Sequence, residues 1–160
     1  MRFFTGALHS LEVSQKRSCP KSEHSADMDW ETSGPLAEEP VGASESLSHY
    51  LFRKELRPDD TVKPEAVMPF PHEGLSTTRH RNLTEDEVWE SGRVVAAKQG
   101  RTLAGRADFM KADLPSGLDA IPSEPPRNHA DIVGWPSERS GQMAQALMLS
   151  GKCVGHRLSA

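Results

Sequence analysis

The stretch from Pro125 to Pro136 constrains the fold of this chain more than any other dozen residues. The proline pair Pro125-Pro126 fixes two φ angles and favours an extended approach to the segment that follows. Residues 130–135 have the length and β-branched content of a short buried strand, which Pro136 ends because proline lacks the N–H that a sheet ladder needs. His129 therefore lies where a loop enters a strand. There it either faces a cleft or hydrogen-bonds a neighbouring backbone group and orders the loop.

A capping box at Thr84 is the clearest local signal for a helix. The Thr84 hydroxyl can accept a hydrogen bond from the Glu87 amide, while the Glu87 side chain reaches back to the Thr84 amide. Acidic residues in the first turn also suit the positive end of the helix dipole. The pattern predicts a helix over residues 85–98, with Gly100 just after its end.

A second helix is predicted over residues 137–150. Ser137 is a suitable N-cap, and Gly151 is a suitable stop after the last turn. The apolar residues of this segment indicate which side is buried against the rest of the domain. That predicted buried side consists of Met143, Ala144, Leu147 and Met148.

Several short segments have the composition of β-strands. Residues 47–56 fit a short helix or the start of a strand equally well. Residues 61–70 contain prolines that exclude a helix through the whole segment, so we expect an extended edge strand there. Threonine content and turn boundaries predict a strand at residues 75–79, and β-branched content predicts one at residues 130–135. Imperfect alternation predicts a further strand at residues 107–114, and a short one is expected at residues 118–121 before Pro122.

Together these elements predict an α+β domain over about residues 47–150, with a small, mostly antiparallel sheet packed against two helices. Residues 1–46 are predicted to be a disordered acidic arm, since residues 10–46 hold eight acidic and three basic side chains and few apolar ones. Residues 151–160 are expected to be a flexible tail. Residues 47–160 balance fifteen acids with fifteen bases, which argues against a dedicated binder of duplex DNA.

Cysteine usage and apolar content indicate the compartment. The two cysteines, Cys19 and Cys153, show no C-x-x-C spacing, so neither a disulfide framework nor a structural zinc site is indicated. The apolar residues near Met1 are too few for a signal-peptide core, and no segment has the apolar length of a membrane span. We therefore expect a cytoplasmic protein with no membrane partner, metal or cofactor.

The segment Arg79-His80-Arg81 is the most concentrated positive site. Its two arginines could fork onto an anionic ligand, or they could pair with the acids of the helix that follows. The histidines lack metal-binding spacings, and Ser76 lies in no nucleophile-elbow motif. The candidate catalytic residues are His129 and His80, and the candidate substrate-binding residues are Arg79, Arg81 and Trp135.

Two segments together resemble a known pattern. The segments are VMPFPHEGLSTTRHRNLTEDEVW, residues 67–89, and HADIVGWP, residues 129–136. They resemble small uncharacterised bacterial proteins with a late His-Ala-x-Ile-x-Gly-Trp-Pro segment. The resemblance covers about residues 47–150 and implies one coherent domain. That family has no established activity, so it implies no chemistry.

Three functions fit these observations. The first is a small accessory protein that binds an unknown protein partner without catalysis, because no catalytic signature is present and the acidic arm suits binding on folding. The second is an enzyme acting on a phosphate-bearing substrate, such as a nucleotide or nucleic acid. In it, Arg79 and Arg81 would hold the anion, and His129 or His80 would act as general acid or base. The third, less favoured, is nucleic-acid binding through the Arg-His cluster.

Overall fold

A computed structural model describes residues 39–69 and 74–159 of the chain. These residues form a six-stranded antiparallel sheet that lies between two α-helices. The strands follow the spatial order β4-β5-β2-β1-β3-β6. The elements in chain order are β1 (Ser46–Phe52), a 3-10 helix (Pro64–Val67), β2 (Leu75–Arg79), α1 (Glu85–Lys98), β3 (Leu103–Met110), a 3-10 helix (Lys111–Asp113), β4 (Asp119–Pro122), β5 (His129–Val133), α2 (Arg139–Ser150) and β6 (Val154–Arg157). The predicted α+β class is confirmed.

The alternation of side chains along the strands gives the sheet two different faces. On one face, Leu47 and Leu51 of β1 join residues of α2 and of the first 3-10 helix in a continuous apolar cluster, the large core. On the other face, Tyr50 and Phe52 pack beneath α1. Successive residues of a strand point to opposite sides, so one strand contributes to both clusters. β1 is therefore buried on both faces over most of its length.

Helix α1 matches the prediction at both ends. The Thr84 hydroxyl accepts from the Glu87 amide at 3.3 Å, and the Glu87 carboxylate accepts from the Thr84 amide at 2.7 Å. The helix spans Glu85–Lys98 as expected. A Cβ atom on Gly92 would lie 2.7 Å from the Tyr50 ring. Glycine at this position therefore lets the helix lie directly on the aromatic ring of β1.

The predicted C-terminal tail is wrong, because Val154–Arg157 forms strand β6 and pairs with β3. A Cβ atom on Gly155 would lie 2.0 Å from the carbonyl oxygen of Asp60, so only glycine allows this close approach. Arg157 then pairs with Asp60 at 2.9 Å. These contacts join residues almost a hundred positions apart, which local sequence patterns do not show.

The N-terminal boundary of the domain also differs from the prediction. Val41 is buried in the large core, Glu45 is paired with Arg79, and β1 begins at Ser46. Residues 39–46 therefore belong to the folded domain. The rest of the predicted disordered arm, residues 1–38, lies outside the described residues.

Three smaller differences concern segments with weak local signals. Residues 64–67 form a 3-10 turn where an extended strand was expected, and β3 begins at Leu103, four residues before the predicted strand. Helix α2 begins at Arg139, two residues later than predicted. Its buried residues are Ala146 and Leu149, whereas three of the four expected residues are exposed, namely Ala144, Leu147 and Met148. These positions depend on the rotation of α2 against the sheet.

Arg79 anchors the start of the domain to β2. Its side chain is 1% exposed and donates to Glu45 from Nε at 2.6 Å and from a terminal nitrogen at 2.9 Å. It also donates to the Glu39 carbonyl at 2.9 Å. Burial alone would raise the pKa of Glu45, but hydrogen bonds from Arg79 and the Gly42 amide outweigh it and lower the pKa. The segment before β1 is therefore held by a forked ion pair.

Replacing Glu45 by Gln should destabilise the domain by about 3 kcal/mol at pH 7, because it leaves a buried guanidinium without its counter-ion. The pKa of Glu45 is lowered on folding, so its contribution is fully present at neutral pH and is lost in acid. The difference between wild type and variant, measured by urea unfolding, should therefore shrink below pH 4.5. The control is Glu39→Gln, an exposed partner of Arg81. Equal effects of the two substitutions would contradict this account.

Candidate functional site

Polar side chains occupy the sheet face that α1 covers only in part. Strand register places them together, because cross-strand partners point to the same side of a sheet. Thr78 is the partner of both Ser48 and His129, while Ser76 is opposite Asp131. We call this surface the polar face, and it consists of Ser48, Ser76, Thr78, His80, Arg106, Asp108, His129, Asp131 and His156.

His129 is held at both ring nitrogens. Its Nε2 lies 2.5 Å from the Ser76 hydroxyl oxygen. Its Nδ1 lies 2.7 Å from the hydroxyl oxygen and 3.1 Å from the carbonyl oxygen of Ser123. A carbonyl oxygen only accepts hydrogen bonds, so this contact favours the tautomer with the ring proton on Nδ1, whereas the shorter contact with the Ser123 hydroxyl fits either tautomer. In the Nδ1-protonated tautomer, Nε2 accepts the proton of Ser76.

The backbone around His129 explains how Ser123 reaches it. β4 and β5 are adjacent, and the Ser123 amide donates to the His129 carbonyl at 3.1 Å just beyond the last pair of the ladder. The loop between the strands is closed by Glu124, whose carboxylate accepts from the Asn128 amide at 2.9 Å. Asn128 is buried with a φ of 61°. The turn thus folds Ser123 back beside the imidazole ring.

Ser76 has the surroundings of a nucleophile rather than of a structural serine. Its residue is exposed, whereas its strand neighbours Leu75 and Thr77 are buried on the other face. Its hydroxyl lies within hydrogen-bond distance of Nε2 of His129, and Ser123 contacts the other ring nitrogen. A hydroxyl, a base within hydrogen-bond reach and a third group that orients the base are the arrangement of covalent catalysis.

In a second histidine–serine contact on the polar face, the histidine is the donor and the serine oxygen is the acceptor. The Ser48 hydroxyl lies 2.5 Å from an oxygen of Asp108 and 2.6 Å from Nε2 of His80. The carboxylate accepts the only proton of Ser48, so His80 must donate to the serine oxygen. Ser48 is also 0% exposed. This serine is a buried bridge between His80 and Asp108, without access to a substrate.

Arg106 ties this second network to the start of α1. The guanidinium is buried, donates to Asp108 at 3.1 Å and to Glu85 at 2.8 Å, and lies 4.5 Å from the centre of the Trp89 ring. The hydrogen bond from Arg106 lowers the pKa of Glu85. Nη1 of Arg106 has no hydrogen-bond partner among the described residues. Its two carboxylate partners largely neutralise its charge.

The polar face holds two of the five residues predicted to form a site. His129 and His80 lie on it, on either side of Thr78. Arg79 is on the opposite face, where Glu45 and backbone carbonyls use its guanidinium. Arg81 pairs with Glu39, and Trp135 donates to the Ile132 carbonyl at 2.8 Å while packing on the large core. The prediction that Arg79 and His129 form one site is therefore wrong, because their side chains point to opposite faces of the sheet.

The sequence analysis missed most of the remaining residues of the polar face. Ser76 was considered only as an elbow serine, which a residue in the middle of a strand does not resemble. Arg106 and Asp108 alternate with Ala107 and Phe109 along β3, and this period of two was the signal available for them. His156 was assigned to the predicted tail.

Searches for other features of a site gave negative results. Across residues 39–69 and 74–159, no group of three or more histidine, cysteine, aspartate or glutamate side chains could hold a metal ion. No helix within those ranges is both long enough and apolar enough to cross a bilayer. No protein-family model, curated protein or solved structure matches the chain. The resemblance to small bacterial proteins stays a prediction.

His80 provides a direct test of the second network. Burial lowers the pKa of His80, and the nearby Asp108 carboxylate raises it by a smaller amount. Replacing Asp108 by Asn should therefore lower the pKa of His80 further, as measured by NMR titration of its ring protons. Glu90→Gln, a change at a half-exposed side chain of α1 that pairs with Arg93, is the control and should leave the titration unchanged. A His80 pKa that rises or stays constant in Asp108→Asn would contradict the assigned contacts.

Proposed function

We propose that the protein is a serine hydrolase that acts on esters or related acyl compounds, with Ser76 as nucleophile and His129 as general base. The observation that carries the proposal is the 2.5 Å contact between the exposed Ser76 hydroxyl and Nε2 of His129. A serine hydroxyl is a weak nucleophile until an adjacent base removes its proton. In support, Nε2 of His129 lies within hydrogen-bond reach of the Ser76 hydroxyl, and Ser123 contacts the other ring nitrogen.

The proposed reaction has two halves. Ser76 Oγ bonds to the acyl carbon while its proton moves to Nε2 of His129, and the protonated ring then returns a proton to the leaving group as that bond breaks. In the second half, water loses a proton to His129 and attacks the acyl-serine ester. The ester bond breaks, Ser76 recovers its proton, and the acid product leaves. The Ser123 carbonyl keeps the Nδ1 proton in place through both halves.

The charges on the polar face favour acyl over phosphate-bearing substrates. Arg79, Arg81 and Arg106 are already paired: Arg79 with Glu45, Arg81 with Glu39, and Arg106 with Glu85 and Asp108. Asp131 adds a carboxylate beside Ser76. A phosphate group would meet this negative charge, and none of these three guanidinium groups is free to bind it. The predicted enzyme for a phosphate-bearing substrate therefore has no free Arg79 or Arg81 side chain to hold the phosphate.

The non-catalytic accessory function is the second candidate. One observation favours it: Leu147 and Met148 are adjacent on α2 and mostly exposed, at 62% and 59%. Large apolar side chains that share an exposed patch are typical of surfaces that bind another protein. This candidate assigns no chemical role to Ser76. It therefore predicts no reaction with reagents that trap activated serines.

The hydrolase predicts covalent labelling of Ser76 by a neutral fluorophosphonate reagent. Mass spectrometry should locate the adduct on Ser76, and Ser76→Ala should abolish it. His129→Ala should slow labelling about 100-fold, the usual loss when a general base is removed. Ser137→Ala is the matched control, since Ser137 is exposed and has no histidine contact in the structure. Unlabelled wild type, or labelling that survives in Ser76→Ala, would reject the hydrolase and favour the accessory candidate.

A further inference from the structure

We infer that Asp131 selects substrates that carry a positive charge close to the bond that Ser76 attacks. The inference rests on the proposed hydrolase, because it concerns the substrate of the same site. It identifies the substrate class as acyl compounds with a cationic group about one side-chain length from the acyl carbon. Asp131 would act by direct contact with that group.

Register places the Asp131 carboxylate beside the nucleophile. Asp131 is the cross-strand partner of Ser76, so both side chains point to the polar face. Its Oδ1 lies 4.0 Å from Nε2 of His129, the nitrogen that receives the Ser76 proton. The side chain is 32% exposed and is thus open to an arriving ligand. A substrate bound for attack by Ser76 must lie within a few ångströms of this carboxylate.

Asp131 differs from the other acids of this surface in its lack of a cationic partner. Asp108 is paired with Arg106 at 3.0 Å, and Asp119 is paired with Lys111 at 2.8 Å. Among the described residues, the ring of His129 is the only basic group recorded within ion-pair distance of Asp131. Its charge is therefore available to a ligand. At about 4 Å in water, attraction between opposite unit charges changes an equilibrium or rate about fivefold.

The space around Asp131 suits a cation on an apolar linker. Ile121 of β4 is its cross-strand partner on the other side and is 43% exposed, which provides an apolar contact next to the charge. Gly74 lies on the same side of β2, and a Cβ atom there would be 3.0 Å from Cβ of Asp131. Glycine at this position thus lets the backbone before β2 approach Asp131 without a side chain beside it. The carboxylate therefore lies next to an apolar contact and is itself partly exposed.

A role for Asp131 through His129 makes a different prediction. A carboxylate that only stabilised the protonated imidazole would speed the reaction of charged and neutral substrates alike. A carboxylate that binds the substrate favours the cationic one alone. The ratio of two labelling rates separates these roles, because intrinsic reactivity and any change in His129 cancel when the ratio is compared between variants.

The test uses two sulfonyl fluorides that react with activated serines. One is the cationic 4-(2-aminoethyl)benzenesulfonyl fluoride, and the other is the neutral phenylmethanesulfonyl fluoride. The ratio of their labelling rates at Ser76, cationic over neutral, should fall about fivefold in Asp131→Asn. Asp119→Asn is the matched control, since Asp119 is exposed on the same sheet but paired with Lys111. In wild type, raising the salt concentration should lower the same ratio.

Each other outcome has a defined meaning. An unchanged ratio in Asp131→Asn, or one that is insensitive to salt in wild type, would overturn the selectivity. Equal slowing of both reagents would also overturn it and assign Asp131 to the support of His129. If neither reagent labels Ser76 in wild type, the hydrolase itself fails and the selectivity fails with it. Loss of selectivity with labelling retained is thus distinguishable from loss of the function.

Discussion

The period of two along the paired strands β2 and β5 is the constraint on which the rest of the structure depends. Leu75 faces Ile132 on the side of the large core, and one residue further on Ser76 faces Asp131 on the polar side. A shift of one residue in this register would exchange the two sets of side chains and expose the core. The energy that buries Ile132 therefore also fixes the positions of Ser76 and His129. Forming the site requires little further loss of conformational entropy, because packing of the core already fixes the register of the two strands.

Two histidine–serine pairs lie on the same face, and their partners give them different chemistry. Ser48 has a carboxylate acceptor, so it must receive a proton from His80, and it is fully buried. Among the described residues Ser76 has no recorded carboxylate partner and contacts His129, whose other nitrogen lies near the hydroxyl and the carbonyl of Ser123. Thus the same residue types form a structural bridge in one case and a base–nucleophile pair in the other. Hydrogen-bond polarity and exposure decide between them.

Local signals predicted much of the fold. The capping box at Thr84 defined α1 at both ends, because a helix start is encoded within four residues. Strands β2 and β5 also followed from their composition and turn boundaries. Strand β6 did not, since its place depends on pairing with β3 and on the contact of Gly155 with Asp60. The prediction of which α2 residues are buried also failed, because burial depends on a tertiary contact, namely how the helix is rotated against the sheet.

The site was harder to predict than the fold. His129 was recognised from its position at the start of a strand, and it does lie on the polar face. Its partner Ser76 is 53 residues away in sequence and carries no motif. Arg79 was predicted for the site and Arg106 was not considered, because the sequence did not reveal which face of the sheet each arginine occupies. Adjacent residues of one strand, such as Arg79 and His80, necessarily point to opposite sides.

The most direct test of the central claim is the tautomer of His129, measured by two-bond correlation of ring protons and nitrogens in ¹⁵N-labelled protein at neutral pH. If His129 serves Ser76 as a base, the proton is on Nδ1, and the resonance of the unprotonated Nε2 shifts in Ser76→Ala. A proton on Nε2 would contradict the account. Ser76 would then accept a hydrogen bond from the ring, and His129 could not remove its proton.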